Sequence, residues 1–417
     1  MGQSVNHTQF KDSPVGRIPV GWEVCKLNNV LNVIDSLHST PKFVSQGYPM
    51  VRVTDIKEGN LKLDNSMQVS KDDYLKFTKR YKPIFGDIVL TRVGSYGVSS
   101  YVDTYQNFCL GQNTVVIHSK SLDEKFAYYL LNATVIKNQI ENEVAGSGYK
   151  SLSLASINRL ILPIPSKNEQ KKIASILTSV DQVIGKTESE ISKLQDLKKG
   201  MMQQLLTQGI GHTQFKDSPV GKIPMGWEVE RLGEIAVFSQ GIQVETGLQH
   251  YRPSNNRIRF LRISDYTVPD ERPRFIDKQL STKENVRKND IVMVRYGAGF
   301  GMVCRGLSGV IANNLFTIKP DTKLETSFLY LVLNYPLFVN KIKSLSASSA
   351  MPALNFSSLS KIRIFIPPLA EQQKIADILT SIDDSIQQQQ RELQQTQNLK
   401  KSLMQDLLTG KVRVKVD

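Results

Sequence analysis

Two stretches of this chain, IPSKNEQKKIASILTSVDQVI (Ile164–Ile184) and IPPLAEQQKIADILTSIDDSI (Ile366–Ile386), carry the same pattern 202 residues apart. A repeat of that length is a whole domain plus a whole connector, so the chain is a tandem duplication. Each copy begins with prolines (Pro163 and Pro165; Pro367 and Pro368). Proline fixes φ and lacks the N–H that a helix's first turn leaves unpaired, so it marks a helix start. Glu169 and Glu371 then fall in the first turn, where the helix dipole favours negative charge.

Each start opens a helix with an apolar seam. In the first copy the seam positions are Ile173, Leu177, Val180, Ile184, Ile191, Leu194, Leu197, Met201 and Leu205. In the second they are Ile375, Leu379, Ile382, Ile386, Leu393, Leu399, Leu403 and Leu407. Steps of three and four predict helices that wind together as a coiled coil. Gln389 and Thr396 place polar residues in the second seam. An ordinary amphipathic helix on a globular core would show a similar stripe, but about 39 residues is long for one.

The formal net charge is +14. The two helical stretches carry only about +1 and −2 and the tail from Gly410 about +2, leaving about +13 on the globular segments. Basic globular parts suit a polyanion and near-neutral helices suit protein partners, although charge alone also fits a generically basic protein. Cys25, Cys109 and Cys304 have no metal-ligand spacing and imply reduced thiols. The polar start and the lack of a long apolar run imply a soluble, intracellular protein, with no signal peptide and no membrane span.

The repeat extends beyond the helices. HTQFKDSPVGRIPVGWEV (His7–Val24) and HTQFKDSPVGKIPMGWEV (His212–Val229) differ only at Arg17/Lys222 and Val20/Met225. Their Trp22 and Trp227 are read as core anchors, and His7 and His212 as surface or packing residues. If the halves are equivalent, the C-terminus lies near the N-terminus and the molecule is pseudo-twofold and nearly circular. Within each half, strand patterns recur: GYPMVRVTDI with RFLRISDY, GDIVLTRVGSYG with NDIVMVRYGAGFG, GQNTVVIH with ANNLFTIK. Helix starts follow at KFAYYLLN and SFLYLVLN. The fold class is therefore α/β (α+β), with two similar globular domains joined by two long helices. The boundaries are 1–163 for the first domain, with lead-in 7–24, then 164–210 for the central helix. Residues 211–365 form the second domain, with lead-in 212–229, and 366–417 the distal helix and tail. Frames match between the copies while loops differ, so the copies share a scaffold and present different surfaces.

The chain resembles the DNA specificity subunits of type I restriction–modification systems. The motifs are IPxGWEV at Ile18–Val24 and Ile223–Val229, IPxxxEQxKIAxIL at Ile164–Leu177 and Ile366–Leu379, and LLTxG at Leu407–Gly410, loosely present at Leu205–Gly209. The resemblance implies two target-recognition domains, each reading half of a bipartite asymmetric site in double-stranded DNA, and an antiparallel coiled coil of the two helices that sets the spacing. It implies two methyltransferase subunits and two restriction–translocase subunits as partners. It places S-adenosylmethionine, ATP and magnesium on those partners, with no cofactor on this chain. A helix of about 39 residues spans about 58 Å, which bounds the half-site spacing at roughly 17 base pairs.

No amino-methyltransferase tetrad, HExxH or paired-cysteine metal pattern occurs. YGAGFG (Tyr296–Gly301) looks like a nucleotide loop, but its counterpart VGSYG lacks the pattern. GKT at Gly185–Thr187 lies inside the helix and lacks a P-loop's first glycine. The chain therefore reads as non-catalytic. For DNA contact the candidates in the first domain are Arg52, Arg92, Ser95, Tyr96, Gln112, Asn113, Tyr149 and Lys150. In the second they are Arg262, Arg295, Tyr296, Asn313, Asn314, Ser348 and Ser349. These residue types hydrogen-bond base edges or hold phosphates. Asp55 and Asp265 could instead simply pair with Arg52 and Arg262, and the Gly-flanked residues could be structural turns. A stand-alone DNA-modifying enzyme and a scaffold that binds no DNA remain the rival classes.

Overall fold

The computed structural model describes residues 9–145, 150–281, 283–297, 299–345 and 353–415. The chain divides into two compact units, residues 1–189 with 391–417, and residues 190–390. The divisions cut through the two long helices, Lys167–Gln208 and Leu369–Leu408, so each unit holds one globular part and a segment of each helix.

The first unit is built on an antiparallel four-stranded sheet ordered Leu31–Asp35, Thr114–Ser119, Ile88–Thr91, Ser99–Tyr101. Its central strand pairs Val116 with Ile34 on one side and Val89 on the other. A second sheet carries Cys109–Leu110 parallel to Tyr48–Val51, then Met67–Val69 and Phe43–Val44. The second unit repeats the first sheet as Ala236–Gln240, Leu315–Pro320, Ile291–Val294, Val303–Cys304. It repeats the other as Arg274–Asp277, Arg257–Leu261 and Val310–Ile311. The parallel strand pair recurs too, Met50 with Cys109 and Phe260 with Val310. Val, Ile and Leu fill the central strands because both faces are covered, by a helix layer on one side and by the second sheet on the other.

The EQxKIAxIL motif is the joint between globular part and helix. Gln170 and Gln372 are buried. Each donates from Nε2 to a proline carbonyl before its helix (Pro165, 3.0 Å; Pro367, 2.8 Å). Each accepts from a backbone N–H at the start of a domain helix (Asp123, 3.0 Å; Glu325, 2.8 Å). Ile173, Leu177, Ile375 and Leu379 then enter the domain cores, with Ala174 and Ala376 small enough to let the elements approach.

The motif glutamates hold the end of the opposite helix. In the second unit Glu371 accepts from Trp227 Nε1 (3.0 Å), the Ile210 N–H (2.9 Å) and His212 Nε2 (2.9 Å). In the first unit Glu169 is 3% exposed and accepts from Arg413 Nε at 2.6 Å. Both helices end on a left-handed glycine, Gly209 (φ +66°) and Gly410 (φ +71°). A Cβ there would lie 2.8 Å from Trp227 and 2.5 Å from Pro19, so glycine is required by conformation and by space together. In the first unit, therefore, residues following Leu408 take the place that the Gly209–His212 connection takes in the second. Trp22 and Trp227 are both buried, as a core anchor must be.

Within each unit the helix segments run antiparallel. Lys400 pairs with Asp181 at 2.6 Å and Arg413 with Glu169 in the first unit, and Lys198 pairs with Asp383 at 2.5 Å in the second. The expected seam needs one correction in each helix. Leu197 and Leu399 are 50% and 53% exposed. The counts 191, 194, 198, 201, 205 and 393, 396, 400, 403, 407 put Lys198 and Lys400 on the inner side, each against the aspartate. The other expected seam residues are buried or half-buried: Val180, Ile184, Ile191, Leu194, Met201 and Leu205 in one helix, Ile382, Ile386, Leu393, Leu403 and Leu407 in the other. Lysine fits because its aliphatic stem lies along apolar surface while the ammonium reaches the carboxylate.

Candidate nucleic-acid interface

The polar rim of the first unit is formed where the strands Tyr48–Val51 and Ile88–Thr91 end and the chain turns. Arg52 is held from both ends: its N–H donates to Asp55 Oδ2 (2.9 Å), its Nε lies 3.3 Å from the same atom, and its guanidinium sits 5.9 Å from the Phe43 ring. Gln112 donates to Thr40 Oγ1 (3.1 Å). Arg52, Gln112, Thr40, Phe43 and Thr54 line a cleft of about 250 Å³. Two of the sequence candidates thus meet, joined by residues from the loop at 39–43 that nothing in the sequence singled out.

Arg92 has a different setting. Its Nη1 donates to Asp35 (2.8 Å) and its Nε to the Leu152 carbonyl (3.1 Å), with the side chain 17% exposed. It holds the backbone at Leu152 as much as it faces outward. Tyr149 lies outside the described residues; Lys150 is exposed and has no ion pair among them. Ser95 contributes its carbonyl to Thr91 Oγ1. Tyr96 donates to Glu141 (3.0 Å), which raises its pKa because only the neutral phenol can donate. Asn113 adopts φ 64°, and its carbonyl accepts the Arg92 N–H at 2.8 Å, a turn role as much as a contact role.

In the second unit Arg262 is fully engaged, with Nε 3.1 Å from Asp265, Nη2 2.8 Å from Glu271 and a bond to the Arg272 carbonyl. Arg295 repeats the Arg92 anchor through Nε to Leu354 O (3.2 Å) and lies 5.4 Å from the Phe356 ring. The position of Asp35 is held by Gln240, however, and Arg295 has no carboxylate partner among the described residues. Tyr296 is partly exposed and bridges to Ala353. Asn313 donates to Gln243 (3.1 Å), while Asn314 Oδ1 is buried with no hydrogen-bond partner among the described residues and its backbone carbonyl accepts the Arg295 N–H. Ser348 and Ser349 lie outside the described residues.

Two basic clusters escaped the sequence reading. KFTKRYK (Lys76–Lys82) has four cations in seven residues, and none has an ion-pair partner among the described residues. In the second unit Tyr251 lies 4.3 Å from Arg272 and 4.0 Å from Arg274. Charge spacing marks the first; the second joins a loop to a strand and has no local signal. Among the described residues no group of His, Cys, Asp or Glu could hold a metal ion, and no helix is long and apolar enough to cross a membrane.

These features define a duplicated α/β binding protein whose two rims share a frame and differ in side chains. The sequence matches the family described as the type I restriction modification DNA specificity domain twice, at residues 19–196 and 224–397. It is 27% identical over 439 residues to the MjaVIII type I restriction enzyme specificity subunit of Methanocaldococcus jannaschii, covering 99% of this chain and 98% of that one. It is 22% identical to the StySPI specificity subunit of Salmonella potsdam, over 90% and 85% of the two chains. The crystal structure of the S subunit of a type I restriction–modification system from M. genitalium superposes with a TM-score of 0.64, covering 97% of each chain at 17% identity, a likeness of fold. The chain belongs to the family of type I restriction–modification DNA specificity subunits.

Proposed function

We propose that this chain reads a bipartite, asymmetric site in double-stranded DNA, one half-site per unit. The long helices set the spacing and dock methyltransferase subunits, and the chain directs adenine methylation and restriction without catalysing either. The observation that carries this reading is the pairing of one scaffold with two different rims. Asp35 faces Arg92 where Gln240 stands near Arg295, and Gln112 with Thr40 stands where Asn313 with Gln243 does. Identical frames with exchanged hydrogen-bonding groups are what reading two unlike sequences requires. Basic globular parts support a DNA partner, and Leu197 and Leu399, exposed at equivalent places on near-neutral helices, suit protein partners.

The test is co-expression with the methyltransferase subunit encoded alongside, followed by single-molecule sequencing of host DNA for methyladenine. The expected result is a split motif, two short unlike half-sites around a fixed gap. The variant Arg92→Ala is expected to change or relax one half of that motif and leave the other intact. A continuous or palindromic motif, or a change in both halves, overturns the assignment of one half-site to each unit.

A further inference from the structure

The first unit contains a cavity of about 370 Å³ beside the rim. That is near the lower end of the about 300–1,000 Å³ usual for small-molecule sites. Phe77, Leu110 and Val116 give it an apolar wall. Ser36 lines it and is 6% exposed. Lys76, Lys79 and Arg80 line the same cavity, are exposed, and have no ion-pair partner among the described residues. Asp35, also on the wall, is hydrogen-bonded to Arg92 at 2.8 Å, so the cavity adjoins the rim.

The cavity is a feature of the scaffold rather than a local packing defect. The second unit has a cavity of about 190 Å³ lined by Gln240, Gly241, Ile311 and Thr317. By strand register these take the places of Asp35, Ser36, Leu110 and Val116. Gly241 stands where Ser36 does and Lys319 is paired with Glu284, while Ser239, Thr317 and Lys283 also line that cavity.

We propose that the first unit's cavity is a nucleotide site. The base lies against the apolar wall beside Ser36, and the phosphate is held by Lys76, Lys79 and Arg80. An apolar slot with a cationic mouth is the chemistry that accepts an unstacked nucleotide. The nucleotide comes either from the bound duplex, as an extrahelical residue, or from solution. The duplex source rests on the proposed reading of this unit as a half-site reader; binding of a free nucleotide does not.

The full-length chain is titrated with each of the four deoxynucleoside 5′-monophosphates by calorimetry. At least one is expected to bind, with affinity at least tenfold weaker in Lys79→Glu/Arg80→Glu and in Ser36→Leu, which fills the slot, and at least tenfold weaker for the matching nucleoside. The exposed double variant keeps the test valid if Ser36→Leu does not fold. No binding of any of the four up to about 10 mM overturns the proposal. So does binding that inorganic phosphate matches and Ser36→Leu leaves unchanged, since that describes a surface anion patch. Duplexes bearing 2-aminopurine at successive positions of the mapped half-site then separate the sources. A fluorescence rise lost in Lys79→Glu/Arg80→Glu assigns the nucleotide to DNA, and nucleotide binding without a rise assigns it to solution.

Discussion

Arg413→Ala is expected to weaken the first unit and leave the second untouched. Glu169 is 3% exposed, and its Oε1 accepts from Arg413 Nε and Nη2, both at 2.6 Å. Its other oxygen closes a capping box with Ser166 (3.2 Å). Removing one partner of a buried ion pair costs about 3–5 kcal/mol, because the remaining charge stays buried and uncompensated. The Arg413 side chain is itself 35% exposed, so water reaches part of the gap and the cost falls to about 2–3 kcal/mol. The assay is native-state hydrogen exchange. Amides of the strand Thr114–Ser119, which exchange only when the first unit opens, should exchange about 30- to 150-fold faster. Amides of its counterpart Leu315–Pro320 should not change, because Glu371 is held by Trp227, Ile210 and His212 instead. Adding Glu169→Gln removes the buried charge and keeps an acceptor for the capping box, so the double variant should recover part of the loss. The reasoning fails if both units accelerate equally, or if the double variant is no more stable than Arg413→Ala.

The helix seam gives a contrast between neighbours: Lys400→Ala should cost about 1–2 kcal/mol in the first unit by freeing Asp181, whereas Leu399→Ser should stay within about 0.5 kcal/mol, both read by denaturant titration. Burial raises the thiols of Cys109 and Cys304 from 9.0 to about 12. A folded pKa above the unfolded one means the native state binds more protons. Stability is therefore full below about pH 9 and falls toward pH 12, by about 1.4 kcal/mol per pH unit for each thiol. Cys109→Ala should flatten that alkaline loss in thermal melts, and thiol reagents at pH 8 should label Cys25 ahead of the other two.

What the sequence made legible was whatever the duplication wrote twice. The domain-plus-helix organisation, the tryptophan anchors and the long helices follow from repeated motifs, because each motif residue has a partner fixed by the frame. The seam was misplaced by one step at Leu197 and Leu399 because hydrophobicity was allowed to outrank periodicity. Yet Lys198 and Lys400 lie 202 residues apart, as do Asp181 and Asp383, and that shared offset was the missed signal. The rim was far less legible. Asp55 and Asp265 lie three residues from their arginines and could be foreseen; Asp35 reaches Arg92 across 57 residues of chain, and Tyr251 meets Arg272 and Arg274 across a loop.

The division between legible and illegible residues has an energetic origin. Trp227, Glu371, Gln372 and Gly209 are each tied to at least one other member of the same joint, so replacing any of them strands a buried group or forces a clash. At the rim, Gln112 and Tyr96 sit on turns between strands, and exchanging them exposes no core. Substitutions of that kind usually change stability by about 0.5 kcal/mol or less. Arg92 and Arg295 show the boundary case. Each keeps the same bond to a loop carbonyl, Leu152 or Leu354, which the fold needs, while the group facing the guanidinium differs. A scaffold arranged this way can change its rim side chains without re-solving how either unit folds, because the joints and the rims rest on different residues.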